Sequence, residues 1–301
     1  MAEQTHSAFF SLIGRPNVGK SSLLNALIGQ KVAIVSDKPQ TTRTRITGVH
    51  TVGDTQLVFL DTPGAHRPRT KLGDYMVKTI GEAVSGVDAA VMVVEPRSAI
   101  REEEAELLKQ IRKNKLPAVL VINKIDTLAD KSALLACMAM WKDAFEFDAM
   151  IPVSALTGEG VEELDKLLQG YAFESPHFFP DDVVSDQPER VLAAELIREK
   201  MLHLLRQEVP HGIAIVVERI AEREGANGPV MDLDAYIFCE RESHKGMVIG
   251  KRGAVLKEIA SQARVEMEQL FGVKVNLQCW VKVKEDWRNR QGLLGQFGYR
   301  L

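Results

Sequence analysis

No stretch of this sequence stays apolar for long: its most hydrophobic segments, such as Ala89 to Val94, fall far short of the ~20 residues that a membrane-spanning helix needs. Met1 to Ser7 carries no basic region followed by an apolar one, so no secretory leader is expected. Cysteine is scarce. Cys137, Cys239 and Cys279 are odd in number, far apart and without a C-x-x-C spacing, which excludes a disulfide framework and a zinc site and makes each a small buried apolar residue. Charge of one sign is lacking too. With 38 Lys and Arg against 41 Asp and Glu, the net charge of -3 gives no whole-chain attraction to a polyanion, so any nucleic-acid site has to be local. Tandem repeats and low-complexity tracts are absent. The expected location is a reducing cytoplasm.

What is present is an ordinary globular composition, 45% hydrophobic and 26% charged, in 301 residues, enough for two domains that each bury a core. In residues 1–172, short β-rich runs (Phe9–Ile13, Leu57–Leu60, Ala89–Val94, Ala118–Ile122, Ile151–Val153) alternate with helix-length amphipathic segments. That alternation predicts a mostly parallel sheet with helices on both faces, ligands binding in the loops at the carboxyl edge. Phe173 to Pro188 is rich in aromatics, prolines and acids, without periodicity, and reads as a linker. Residues 189–301 read as a smaller α+β domain: a helix at Glu189–Leu205, strands at Ile213–Arg219 and Met231–Glu240, a helix after Gly253, and a strand at Lys274–Lys284. Leu256, Ile259, Ala260, Ala263, Met267, Leu270 and Phe271 give that second helix one apolar face.

The octet Gly14-Arg15-Pro16-Asn17-Val18-Gly19-Lys20-Ser21 fits G-x-x-x-x-G-K-S/T between a strand and a helix, with Ser22 continuing into the helix. Its glycines let backbone N–H groups curl around phosphate oxygens, Lys20 neutralises the β- and γ-phosphates, and the Ser21 hydroxyl suits Mg²⁺. Asn123-Lys124-Ile125-Asp126 names the base. A carboxylate at Asp126 accepts from N1–H and the exocyclic amine of guanine, a donor pair that adenine lacks. Asn123 ties this loop to the phosphate loop, the Lys124 stem lies along the base, and Ser154-Ala155-Leu156 offers a backbone N–H to guanine O6. Asp61-Thr62-Pro63-Gly64 ends a strand; Asp61 suits a water-mediated contact to Mg²⁺, and the Gly64 N–H suits the γ-phosphate. Between these motifs, Pro39-Gln40-Thr41-Thr42-Arg43-Thr44-Arg45 reads as a switch in which Thr42, with Thr41 as the alternative, meets the metal. The expected catalytic set is Lys20, Thr42, Asp61 and Gly64, with GTP and GDP as ligands.

These segments resemble the Era family of bacterial GTPases, over essentially the full chain. A departure from Ras-like proteins lies after Gly64, where Ala65 replaces their water-orienting glutamine, so slow intrinsic hydrolysis is expected. Asn17 matches an asparagine that some similar GTPases use to hold K⁺, which implies a K⁺ site here.

In the second half, Val248-Ile249-Gly250-Lys251-Arg252-Gly253, followed by a helix bearing Lys257, has the form of a KH-domain clamp for about four unpaired nucleotides. Local charge agrees: Lys245, Lys251, Arg252, Lys257, Arg264, Lys274, Lys282, Lys284, Arg288 and Arg290 outnumber the acids in this window. Trp280 and Trp287 offer rings on which bases could stack, but a tryptophan in a strand of alternating pattern is more often core, so both read as core and stay outside the site. The resemblance implies a type II KH domain and a target at the 3′ end of 16S ribosomal RNA, with a role in small (30S) ribosomal subunit assembly. It further implies a peripheral contact at the cytoplasmic face of the inner membrane; DNA is not expected as a partner, and the chain is expected to be a monomer. The rival readings are a nucleotide-regulated RNA scaffold with negligible GTPase activity, a double GTPase, which needs a second phosphate loop, and a tRNA-modifying partner, which needs a reactive cysteine motif where this chain has Gly298-Tyr299-Arg300-Leu301.

Overall fold

The computed structural model describes residues 4–206, 209–226 and 228–299, so Arg300 and Leu301 lie outside the described residues. The chain divides into two compact units, residues 1–69 with 73–186, and residues 70–72 with 187–301.

The first unit runs β1 (His6–Ile13), α1 (Lys20–Ile28), β2 (Ile46–Val52), β3 (Thr55–Asp61), α2 (Lys71–Val84, from Gly73 onward in this unit), β4 (Ala89–Val94), α3 (Glu102–Asn114), β5 (Ala118–Ile122), α4 (Lys131–Ala144), β6 (Ala149–Pro152), α5 (Val161–Gln169) and β7 (Phe173–Glu174). The sheet order is β2-β3-β1-β4-β5-β6, parallel except for β2, and β7 pairs antiparallel with the start of β1. β4 explains why the central strands read as unbroken apolar runs. Ala89, Val91 and Val93 pack into the core beneath α1 and α5, while Ala90, Met92 and Val94 pack into the opposite core with α3 and α4.

Residues 173–188, read as a linker, mostly belong to this unit. The Gln56 side chain, fully buried, accepts from the N–H groups of Phe178 and Phe179 and donates to the Phe179 carbonyl at 2.9 Å. The Phe178 ring stands edge-on to Phe9 with centroids 4.9 Å apart, and Val49 N–H donates to the Val184 carbonyl. Beyond the two-residue β7, the segment lacks periodicity because it packs residue by residue onto the sheet. The boundary falls after Asp186.

The second unit runs α6 (Glu189–Leu204), β8 (Ala214–Gly225), β9 (Gly228–Cys239), α7 (Glu242–Ile249), α8 (Ala254–Phe271), β10 (Lys274–Val283) and α9 (Gln291–Gln296). Its sheet has the order β10-β9-β8, with β10 parallel and β8 antiparallel to β9. This is the expected type II KH arrangement. Met231, Leu233, Ala235 and Ile237 alternate inward against Ile197 and Met201 of α6 and Ile259, Ala263 and Met267 of α8. The buried stripe of α8 is narrower than its sequence pattern, since Leu270 is 39% exposed. β8 extends past Arg219 through polar residues because pairing with β9 holds it to Gly225. Trp287 is buried and donates to the Gly212 carbonyl at 2.9 Å. Trp280, expected in the core, instead stacks on Tyr236 across the outer face of the sheet and is 39% exposed. Cys137 and Cys239 are buried as expected, whereas Cys279 is only partly so.

Candidate nucleotide and RNA sites

The phosphate loop leaves β1 and returns as α1. Gly14 (φ +155°) and Gly19 (φ +95°) are needed there. A Cβ on Gly14 would stand 2.3 Å from the Val93 carbonyl, and one on Gly19 would stand 2.2 Å from Asn123 Nδ2. Lys20 is buried and folds over the loop, donating to the Gly14 and Arg15 carbonyls at 3.2 Å each. Burial pulls its ammonium down to about 8, against the raising effect of Asp61 nearby. Pro16 packs on the turn after β3, where a Cβ on Gly64 would meet Pro16 Cα at 2.5 Å. The Ala65 N–H donates to the Gly14 carbonyl, and the Thr62 hydroxyl to the Leu12 carbonyl, so the buried Asp61-Thr62-Pro63-Gly64 turn is fastened to the loop.

Three oxygen-bearing side chains converge beside Lys20. Ser21 Oγ donates to Asp61 Oδ2 at 2.6 Å and lies 2.9 Å from Thr42 Oγ1, which itself reaches Asp61 Oδ2 at 3.4 Å. Thr42 is therefore the threonine that joins this cluster, while the Thr41 hydroxyl donates to the Lys38 carbonyl at 2.6 Å. Burial raises the Asp61 carboxyl above its usual range despite Lys20, and its Oδ1 is buried without a hydrogen-bond partner. A buried carboxylate oxygen left unpaired is unusual. Hard oxygen donors from serine, threonine and aspartate are the set that a small divalent cation such as Mg²⁺ takes, so these residues fit it. A cleft of about 420 Å³ opens here, lined by Asn17, Ser21, Ser22, Thr42, Gly64 and Lys124 among others.

The base loop is braced from below. Asn123 Nδ2 donates to the Val18 carbonyl at 2.8 Å, and its Oδ1 accepts from Ala155 N–H at 3.0 Å, joining three loops with one side chain. Ser154 Oγ donates to Asp126 Oδ1 at 2.6 Å and fixes the exposed carboxylate. The Leu156 side chain is 85% exposed. Asn17 (φ +65°) donates from Nδ2 to the Asp37 carbonyl, tying the loop to the segment before the switch. Asp37 and the neighbouring Ile34, Val35 and Ser36 in the cleft wall, and Glu95 beside Lys124, lie outside every motif of the sequence. Glu95 could have been found, because it directly follows a strand whose neighbours both end in motifs.

In the second unit the clamp lies between α7 and α8. Gly250 (φ +73°) has Val255 so close that a Cβ would stand 2.4 Å from Val255 Cγ2, whereas Gly253 (φ +79°) faces open space. Arg252 takes a left-handed conformation (φ +54°) between them. Lys251, Arg252 and Lys257 are exposed and make no ion pair among the described residues, whereas Lys245, Arg264, Lys274 and Arg288 are paired to glutamates. Ile249 is half-buried. Val248, read as part of the clamp surface, is fully buried in the core, so its side chain anchors α7 and does not reach a ligand.

Among the described residues no helix is long and apolar enough to cross a membrane. The family model described as "50S ribosome-binding GTPase" matches residues 9–124, and the KH domain model matches residues 208–288. GTPase Era of Clostridioides difficile (strain 630) is 48% identical over 97% of this chain and 98% of its own length. GTPase Era of Geobacter metallireducens is 46% identical over 97% of each chain. A crystal structure of an Aquifex aeolicus Era variant bound to GDP.AlF4- superposes with a TM-score of 0.94 at 37% identity, covering 99% of this chain and all of that one. A crystal structure of Era with MgGDPNP and nucleotides 1506-1542 of 16S ribosomal RNA gives 0.93 at 38% identity, with the same coverage. A GTPase domain and a KH domain in one chain, with relatives matched over nearly its whole length, make this protein a member of the Era family of GTPases.

Proposed function

We propose that this GTPase reads guanine through Asp126, senses the γ-phosphate through Thr42 and Gly64, and uses that state to set the grip of Lys251, Arg252 and Lys257 on single-stranded RNA at the 3′ end of 16S ribosomal RNA during small-subunit (30S) maturation. The convergence of Ser21, Thr42 and the unpaired Asp61 oxygen carries this reading. Ser21 and Thr42 hold Mg²⁺ directly and Asp61 holds it through water; bound there, the ion neutralises phosphate oxygens as a Lewis acid. Lys20 exchanges its two carbonyl acceptors for β- and γ-phosphate oxygens, and the loop N–H groups complete the cradle.

Hydrolysis by attacking water is slow because Ala65 has no group to orient it. Asn17 is the residue that would hold K⁺, which would supply positive charge to the phosphates, and faster turnover in KCl than in NaCl is the expected outcome. When the γ-phosphate leaves, Thr42 and Gly64 lose their common partner and the segments carrying them relax. The RNA reading is supported by the unpaired cations at the clamp and by the relative solved with 16S ribosomal RNA nucleotides. It is tested by crosslinking to total RNA with a non-hydrolysable GTP analogue bound. The 16S 3′ end should be recovered at Lys251 and Arg252; random messenger fragments would contradict it. A peripheral contact with the cytoplasmic face of the inner membrane belongs to the same proposal and is tested by flotation with liposomes.

A further inference from the structure

Glu95 follows the last residue of β4 and belongs to none of the sequence motifs. Its carboxylate is engaged on both oxygens: Oε1 accepts from Lys124 Nζ at 2.6 Å, and Oε2 accepts from Arg97 Nε at 2.9 Å. The same Lys124 ammonium donates to the Asn17 carbonyl at 2.5 Å. β4 lies between β1 and β5, so Glu95 emerges between the strand that feeds the phosphate loop and the strand that feeds the base loop. Lys124 sits in a left-handed backbone conformation (φ +66°), costly for a residue with a Cβ, which the surrounding contacts must hold. Partial burial would lift the Glu95 carboxyl, but Lys124 and Arg97 outweigh it and hold the group below the usual carboxylate range.

We propose that Glu95 is the positioning residue for Lys124, fixing its ammonium on the Asn17 carbonyl so that its methylene stem stands as one wall of the guanine slot before nucleotide arrives. Lys124 is a flexible four-carbon stem with a strongly hydrated head, and its side chain is 37% exposed. With one protein acceptor the head has water as an alternative. Two acceptors, one of them charged, hold the stem in place, and the ordering cost is removed from the binding step. The effect belongs to nucleotide retention and not to hydrolysis, because Glu95 is placed beside Lys124 and not beside the Ser21, Thr42 and Asp61 cluster. The proposal rests on the reading that Lys124 lies along the base.

The test compares full-length wild type, E95A, E95Q, K124M and the E95A/K124M double variant, using a fluorescent GDP analogue for affinity and release, and single-turnover hydrolysis at saturating GTP for chemistry. E95A should bind GDP about tenfold more weakly, with the loss in the release rate, and E95Q should lose less because it keeps an acceptor. The hydrolysis rate at saturation should stay within about twofold. The double variant should be no weaker than K124M alone, as expected when one residue acts through the other. K124M weakened with E95A normal, or losses that add, overturn the role of Glu95 while leaving Lys124 as the base wall. K124M without effect overturns the base-wall reading and the Glu95 proposal with it.

Discussion

Lys20 is held where burial and ligand binding oppose each other. Its ammonium is pulled from 10.5 to about 8 by desolvation, so between those values the unfolded chain binds the proton and the folded chain releases it. Stability of the nucleotide-free protein gains from this residue as pH rises from about 8 toward 10.5, and the penalty is fully present below 8. Phosphate needs the cation, so GDP affinity should fall over the same interval, by at most about tenfold per pH unit. Calorimetric titrations from pH 7 to 9, below the loss of the guanine N1 proton, with Lys20→Met as the reference that lacks the group, should show both trends in wild type and neither in the variant. The two adjacent threonines give a second contrast. Thr42→Ala should reduce the preference for a GTP analogue over GDP by about tenfold or more, whereas Thr41→Ala, whose hydroxyl serves the Lys38 carbonyl, should change it little. From sequence alone the two positions stayed open, since both supply the same hydroxyl and only the path of the loop decides which one reaches Asp61.

At the level of elements, the glycines of the clamp are predicted to differ. Gly250→Ala places a Cβ against Val255 at the start of α8 and should abolish RNA binding by distorting the clamp, while Gly253→Ala meets no protein atom and should cost the fold only the left-handed strain, about 1 kcal/mol. Binding of a short single-stranded RNA measured by anisotropy, with melting temperature as a folding control, separates the two. The strands and helices that carry the motifs were legible because buried parallel strands read as apolar runs and α8 repeats at helical spacing. The segment 173–188 was not, because Gln56 and the sheet edge hold it through single side chains that leave no period. Gln56→Leu should therefore lower stability by about 2 kcal/mol or more, since the N–H groups of Phe178 and Phe179 lose their acceptor. Trp280 was misread for a related reason: alternation shows that it shares a face with Lys282 and Gln278, but not that this face of the sheet is the open one.

For the molecule as a whole, the nucleotide site was legible because phosphate and guanine chemistry demand particular residues in a fixed order along the chain. Of the supports beneath it, Glu95 left only its place after β4, between two strands that end in motifs, and Asp37 left no signal, because a contact between loops leaves no spacing to read. Nucleotide choice throughout depends on one purine being selected by one carboxylate, that of Asp126. The most direct measurement is calorimetry of GDP, ADP and xanthosine diphosphate with wild type and Asp126→Asn. Wild type should bind GDP and ignore ADP, while the variant should lose GDP by about a hundredfold and gain xanthosine diphosphate, whose C2 carbonyl needs the donor that the amide provides. Equal uptake of GDP and ADP by wild type, or an unchanged preference in the variant, would contradict the account.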